Sequence, residues 1–304
     1  MTHEAVGAFI YAGGFSLGMR KHFNVLAHLE DGSFGVETSR ANMPELEFHT
    51  EPANWPVRRY AGVPVVYSNP PCAPWSSAGS RHKTVRLFGD DPRARDTVRS
   101  LELVDTIRPK VWVWESVPQA YHRGGEFMDR VTGHLAELGY SVTHVLLDAK
   151  FTGLPQRRSR VLTVGHTIEI PWHRPTHGPV TVRQAIQDIT PDYAPPVTPK
   201  WAPGIAAAPY GAVRRWVNET NADGKQVGPG FLLMKVDPDC ISPVVTGNFR
   251  LIHWDTVRYL SPAECAVLNG YPPDYIWMHG KSPSRKIQQV GKMTGCQVTG
   301  RNFP

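Results

Sequence analysis

Short apolar runs recur through the first 170 residues, each set off from the next by a Gly-rich turn or a helical stretch, and this alternation restricts the chain to a sheet covered by helices. AVGAFIYA (5–12) reads as a strand, AGGFSLGMRKHF (12–23) as a turn opening a helix, and NVLAHLE (24–30) as a second strand. Further strands are expected at VPVVYS (63–68), VWVWES (111–116), SVTHVLL (141–147) and RVLTVG (160–165), with helices over 92–107 and 125–138. A βαβ opening of this kind implies an α/β fold with a doubly wound, mostly parallel sheet. After Pro171 the periodicity dissolves into RPTHGPVTV, PDYAPPVTPKWAPG and NADGKQVGPG, which read as loops and small strands. Helical order returns at SPAECAVLNG, where Ser261 and Glu264 have the spacing of a capping box, and again at SRKIQQVGKMTG. The expected organisation is a main domain over 1–170, a small irregular lobe over 171–256, and a C-terminal segment over 257–304 that returns to the main domain.

No apolar run is long enough to span a bilayer, no signal peptide is visible, and 41% hydrophobic content suits a soluble globular chain, so a cytoplasmic protein without a membrane partner is expected. Cys72, Cys240, Cys265 and Cys296 are too widely spaced for a CxxC metal pattern or a disulfide framework, so no metal is expected. A formal charge of +6 suits a polyanionic partner.

Chemistry concentrates in Pro70-Pro71-Cys72-Ala73-Pro74-Trp75-Ser76-Ser77-Ala78-Gly79. A rigid Pro-Pro step after VPVVYSN presents Cys72 at the C-terminal end of a strand, where open α/β sheets place their ligands. Phe9, Gly13 and Gly14 sit where the first strand turns into a helix, and Glu30 ends the second strand, where an acid can bond ribose hydroxyls.

The ten-residue string resembles the catalytic loop of the DNA cytosine-5 methyltransferase family, roughly Pro-Pro-Cys-Gln-x-Phe-Ser-x-Ala-Gly, with Ala73 and Trp75 as departures. Other blocks follow in family order: Glu115-Ser116-Val117 resembles Glu-Asn-Val, Gln156-Arg157-Arg158-Ser159-Arg160 matches Gln-x-Arg-x-Arg, and Arg258 to Glu264 resembles Arg-x-Leu-Thr-x-x-Glu. The resemblance implies a Rossmann-like S-adenosylmethionine-dependent fold that transfers a methyl group to C5 of a cytosine flipped out of double-stranded DNA. It makes Cys72 the nucleophile, Glu115 the acid at cytosine N3, and Arg158 and Arg160 a pair that orients the base from one strand face. Phe9, Tyr11, Gly13, Gly14, Glu30, Glu51, Pro71 and Lys292 become cofactor contacts, with Phe9 against adenine, Glu30 on the ribose and Glu51 at the adenine amino group. Ser76, Gln156, Arg214 and Arg215 become substrate contacts, Arg214 and Arg215 lying in a basic lobe with Lys225, Lys235 and Arg250 among Trp201, Trp216 and Trp254. Arg258 and Glu264 read as scaffold. The protein is expected to act as a monomer on DNA, and a partner nuclease is not legible.

Three departures touch the cofactor site: Tyr11 replaces the first glycine of Gly-x-Gly-Gly, Asp96 an apolar residue, and Lys292 the asparagine of a C-terminal Gly-Asn. Lys292 opens an alternative in which a carboxylated cofactor, carboxy-S-adenosylmethionine, is used to give 5-carboxymethylcytosine. A non-catalytic DNA-binding relative and a transfer-RNA methyltransferase are further alternatives, and retention of Cys72, Glu115, Gln156, Arg158 and Arg160 together argues against the first of these.

Overall fold

The computed structural model describes residues 3–72, 75, 94–172, 177–194, 196–220, 226–247, 250–278 and 283–292, with backbone alone at 213–220, 226–232, 250, 283–285 and 292. These fall into two compact units, residues 3–149 with 159–172, and residues 150–158 with 177–292.

The first unit is a seven-stranded sheet in the order β3-β2-β1-β4-β5-β7-β6. Its strands are β1 (His3–Ala8), β2 (Phe23–Leu29), β3 (Glu47–His49), β4 (Val65–Ser68), β5 (Val111–Ser116), β6 (Ser141–Asp148) and β7 (Ser159–His166). β1, β2, β3, β4 and β5 pair in parallel, whereas β7 pairs antiparallel with both β5 and β6, so the sheet is mostly parallel as expected. Helices α1 (Gly14–Met19), α2 (Val36–Asn42), α3 (Arg95–Ile107), α4 (Pro118–Arg123) and α5 (Glu126–Glu137) connect the strands.

β5 is buried at every position, as a central strand covered on both faces must be. Alternation places Trp112 and Trp114 on one side, where they join a core with Val66, Val104, Ile107, Phe127 and Leu135, and turns Glu115 to the other side. α3 begins three residues later than expected, at Arg95, and ends where Arg108 turns left-handed at φ 54°. α4 was not expected, although Pro118 at its first turn is a usual helix opening.

The first strand is shorter than its apolar run. It ends at Ala8, and Phe9 and Tyr11 adopt left-handed φ values of 56° and 59°. Hydrogen bonds from this turn to a side chain on the neighbouring strand win over the strand propensity of FIYA, as the next subsection shows.

The second unit contains α6 (Val182–Ile186), α7 (Ala202–Ala206), β8 (Val213–Thr220), β9 (Gln226–Lys235), β10 (Arg250–Ile252), α8 (Pro262–Leu268) and α9 (Pro283–Lys292). β8 and β9 form an antiparallel pair and β10 adds to β9, more regular order than the Pro- and Gly-rich sequence promised. Trp201 is a core residue here, packed with Val197, Ile205, Leu233 and Ile252. The Ser261 capping box is present, its hydroxyl accepting from Glu264 N–H while Glu264 accepts from Ser261 N–H.

Among the described residues no helix is long and apolar enough to cross a membrane.

Candidate active site

β4 ends at Ser68, and Asn69-Pro70-Pro71-Cys72 follows at the C-terminal edge of the parallel strands. Cys72 is partly exposed. Its carbonyl accepts from Trp75 N–H at 3.1 Å, and the Trp75 indole is buried against Trp114 and Phe127, with centroids 5.3 Å away in both cases. The Trp75 departure therefore anchors the cysteine loop in the core, the task of a large aromatic at that position.

Glu115 is buried at the end of β5, facing away from Trp114. Arg160 Nε lies 2.7 Å from its Oε1, and Asn69 Nδ2 donates to its Oε2. Register explains the convergence. Ser68 pairs with Trp114 in parallel, so the next residues, Asn69 and Glu115, are neighbours; Leu162 pairs with Glu115 antiparallel, so Arg160, two residues before it, lies diagonally on the same face.

Arg158 behaves differently from Arg160. The sequence put both guanidinium groups on one strand face, but β7 starts at Ser159, so strand alternation does not govern Arg158. Its side chain is buried and its Nη1 donates to the Val245 carbonyl at 3.4 Å, within the second unit. Gln156, expected at the substrate, is wholly buried: its Nε2 donates to the Leu268 carbonyl and to Asn269 Oδ1, both at 3.1 Å. Asn269 passes the connection on, donating to the Val290 carbonyl of α9 at 2.8 Å. Gln156 is thus spent on joining the two helices that close the second unit.

The nucleoside side of the site is built from the turn after β1. Glu30 is buried, and its carboxylate accepts from Ile10 N–H at 2.8 Å and Tyr11 N–H at 3.2 Å, which holds the left-handed turn in place. Burial pushes the Glu30 carboxyl well above its ordinary range, against the pull of these two N–H groups. Gly13 follows with φ 87° at the start of α1, a conformation that favours glycine. Phe9 is buried and meets the Trp55 indole edge-on at 5.2 Å. The Trp55 N–H reaches the carbonyls of Glu30 and His49, both at 3.1 Å.

Tyr11 fills the place of the missing glycine by leaning on Phe34, with centroids 5.4 Å apart, and on Gly35, whose lack of a side chain makes room for the ring. Burial and the nearby Asp31 raise the Tyr11 phenol. Glu51 is exposed and takes a hydrogen bond from Asn54 at 2.8 Å, and Pro71 is exposed beside Cys72. Beneath the turn, Ser16 Oγ bonds His28 Nε2 at 2.7 Å and Tyr67 Oη at 2.6 Å, a buried polar network under α1.

Ser76 and Lys225 lie outside the described residues, as do the side chains of Arg214, Arg215, Trp216, Arg250 and Lys292; Arg214 and Arg215 are placed on β8 and Lys292 at the end of α9. Lys235, one of the expected DNA contacts, donates to the Ala206 carbonyl at 2.7 Å and lies over the Tyr210 ring. Arg258 and Glu264 form the scaffold pair expected of them, two parallel bonds of 2.9 Å.

Residues 5–298 match the C-5 cytosine-specific DNA methylase family. The chain belongs to it. This methylase is similar to the type II methyltransferase M1.HphI of Haemophilus parahaemolyticus, 29% identical over 96% of this chain and 83% of the relative. It is also similar to M.MthTI of Methanothermobacter thermautotrophicus, 27% identical over 92% of this chain and 89% of the relative. Its fold resembles that of the Entamoeba histolytica methyltransferase EhMeth, with a TM-score of 0.71 and 13% identity over 99% of this chain and 96% of that one. A variant of Spodoptera frugiperda DNMT2 gives a TM-score of 0.68 with 13% identity over 98% of both chains. The methylase is accordingly an enzyme of the DNA methyltransferase type.

S-adenosylmethionine-dependent transfer is the chemistry of this family, and the first unit fits that cofactor. A buried carboxylate closes β2, a left-handed turn opens α1, and an aromatic pair, Phe9 with Trp55, flanks them. Sequence reasoning missed Trp55 and Asn69. Trp55 sits in an aperiodic stretch that carries no signal, whereas Asn69 directly precedes Pro70-Pro71 and was there to be read.

Proposed function

We propose that this methylase transfers the methyl group of S-adenosylmethionine to C5 of a cytosine in DNA, through a covalent bond between Cys72 Sγ and C6. The observation that supports it is the Glu115 carboxyl, buried and clasped by Arg160 and Asn69 at the strand edge that also carries the Pro-Pro-Cys loop. When bound, the cofactor supplies an electrophilic methyl group to a carbon made nucleophilic.

The residues of the chain prepare that carbon. The Cys72 thiolate forms the Sγ–C6 bond, and the electron pair of the C5–C6 double bond moves toward C5 and the ring. Glu115 meets the developing charge at N3 by giving up its proton, whose O–H pair stays on the carboxylate. After C5 has been alkylated, water or hydroxide removes the C5 proton, the C5–C6 double bond returns as the Sγ–C6 bond breaks to release Cys72 as thiolate, and N3 gives its proton back to the Glu115 carboxylate. A base inside a duplex cannot reach such a pocket, so the cytosine is flipped out of the stack. Phe9, Glu30 and the turn through Gly13 hold the nucleoside part of the cofactor, and β8 and β9 lie in the segment that reads the DNA.

The test is transfer of labelled methyl from S-adenosylmethionine to duplex DNA and, in parallel, to transfer RNA. Incorporation into DNA as 5-methylcytosine, and a complex with 5-fluorocytosine-containing DNA that resists denaturation, are expected of the wild type; Cys72→Ala shows neither while still binding cofactor. Transfer to RNA alone, or near-normal turnover of Cys72→Ala, overturns the reading.

Lys292, at the position of the family's Gly-Asn asparagine, favours a second reading with carboxy-S-adenosylmethionine. A lysine beside a sulfonium repels it and attracts a carboxylated analogue. Competition between the two cofactors decides: an unchanged ratio of 5-methylcytosine to 5-carboxymethylcytosine in Lys292→Asn removes Lys292 as a selector.

A further inference from the structure

We infer that Asn69, the residue that follows β4, is a positioning residue for the Glu115 acid, its carboxamide donating to the carboxyl group. The inference rests on the reading of Glu115 as the acid at N3. In the pattern that this chain resembles, an asparagine follows the glutamate directly; here that place is taken by Ser116, which is buried. Alternation along β5 turns Ser116 to the side of Trp112 and Trp114, away from Glu115, so its hydroxyl does not serve the carboxyl. The carboxamide beside Glu115 comes from the residue that follows β4. Parallel pairing of Ser68 with Trp114 sets Asn69 beside Glu115, and Asn69 Nδ2 donates to Oε2.

The placement of Asn69 is itself fixed. Its backbone N–H donates to the Ala8 carbonyl at 3.1 Å, and Pro70 behind it removes most of the remaining backbone freedom. Arg160 Nε faces Oε1 at 2.7 Å as an ion-pair partner, and the hydrogen bond to the carboxyl is the one from Asn69 Nδ2 to Oε2, so Asn69 is the contact that directs the group. Each oxygen accepts more than one hydrogen bond, so a site remains for the proton that N3 takes. As that O–H bond breaks and the N3–H bond forms, the charge left on the carboxylate meets donors already in position, which avoids reorganisation at the moment of reaction. Arg160 alone orients one oxygen; the second contact is what keeps the group from rotating about its last torsion.

Steady-state kinetics of the full chain on duplex DNA with S-adenosylmethionine test this, using Asn69→Ala and the isosteric Asn69→Asp, which keeps the shape and loses the donor. Both are expected to lower kcat by about 10- to 100-fold, the size usual when a supporting hydrogen bond behind a functional group is lost. KM for DNA and for cofactor should stay within about twofold, the split expected of a residue that acts on the chemical step through Glu115. In a Glu115→Gln background the same substitutions should cost nothing further, because the group they position no longer acts. If the Ala variant fails to fold by near-UV circular dichroism, the Asp variant carries the test. Equal losses in both backgrounds, or full kcat in both Asn69 variants while Glu115→Gln is slow, overturn the inference about Asn69 alone. A wild-type rate in Glu115→Gln overturns the acid reading on which it stands.

Discussion

Arg160 faces the Glu115 carboxyl across the antiparallel junction of β5 and β7, with Nε 2.7 Å from Oε1. Glu115 is buried and Arg160 is partly exposed, so the carboxyl is the buried member of the pair. Removing the guanidinium leaves the buried carboxyl without its partner, and breaking a buried pair costs about 3–5 kcal/mol, whereas replacing both partners is often close to neutral. Urea unfolding of Arg160→Gln is therefore expected to show a loss of about 3 kcal/mol or more, and the double variant Arg160→Gln/Glu115→Gln is expected to recover most of it. An unchanged midpoint in the single variant would mean that the pair contributes nothing to folding.

Tyr11 and Gly35 make a second coupled pair. A Cβ placed on Gly35 would lie 2.5 Å from Tyr11 Cε2, inside contact distance of the ring. Gly35→Ala should lower stability by about 1–3 kcal/mol, the usual cost of overfilling a packed contact. Tyr11→Gly removes the obstruction and suits the left-handed backbone there, at φ 59°. Thermal unfolding of Gly35→Ala/Tyr11→Gly should then show less than the sum of the single losses; strict additivity would separate the two residues.

His28 makes the fold acid-sensitive. It is fully buried, bonded to Ser16 and Ser39, with Glu30 Oε1 4.0 Å away. Burial, aided slightly by Arg20, lowers its pKa from 6.5 to about 3. Between those values the unfolded chain binds a proton that the folded chain excludes, so stability falls as pH drops from 6.5 toward 3. The raised Glu30 works in the opposite direction, gaining stability as pH falls through its folded value, and is common to wild type and variant. Unfolding free energies at pH 7 and pH 5 should differ by about 2 kcal/mol less in His28→Gln than in wild type. Equal differences in the two proteins would mean that His28 is protonated in the native state.

Glu264 ties three things at once: the Arg258 guanidinium, the Ser261 N–H and the first turn of α8. Glu264→Ala leaves a part-buried cation without its partner and the Ser261 N–H without its acceptor, so a loss of about 2–3 kcal/mol is expected, below the range for a wholly buried pair. Glu264→Gln keeps the cap and should fall between that value and wild type. Denaturant titration orders the three proteins, and equal stability of Ala and Gln variants would discard the capping contribution.

Much of the framework was legible because it follows from local physics. VWVWES ran as a strand over 111–116 as read, since an unbroken apolar run ending in a polar residue leaves few alternatives, and the Ser261–Glu264 box needed only its own spacing. The turn at Phe9 to Tyr11 was misread as strand, because the carboxylate that bends it comes from Glu30 on another strand. Gln156 was read as a substrate contact, and its carboxamide is interior, bonded to the Leu268 carbonyl; residue type named its chemistry, while packing chose where it is used.

By itself the chain determined the parallel α/β alternation, the presentation of Cys72 after a rigid Pro-Pro step, and the family to which its blocks belong. These depend on period, stiffness and order along the backbone. Only the tertiary structure decided which side chains act together. Strand order and register bring Asn69 from β4, Glu115 from β5 and Arg160 from β7 to one carboxyl group, while Arg158, two residues from Arg160, binds the carbonyl of Val245 instead. A one-residue difference in where β7 begins turns a guanidinium to a different neighbour, and no spacing in the sequence encodes where that boundary falls.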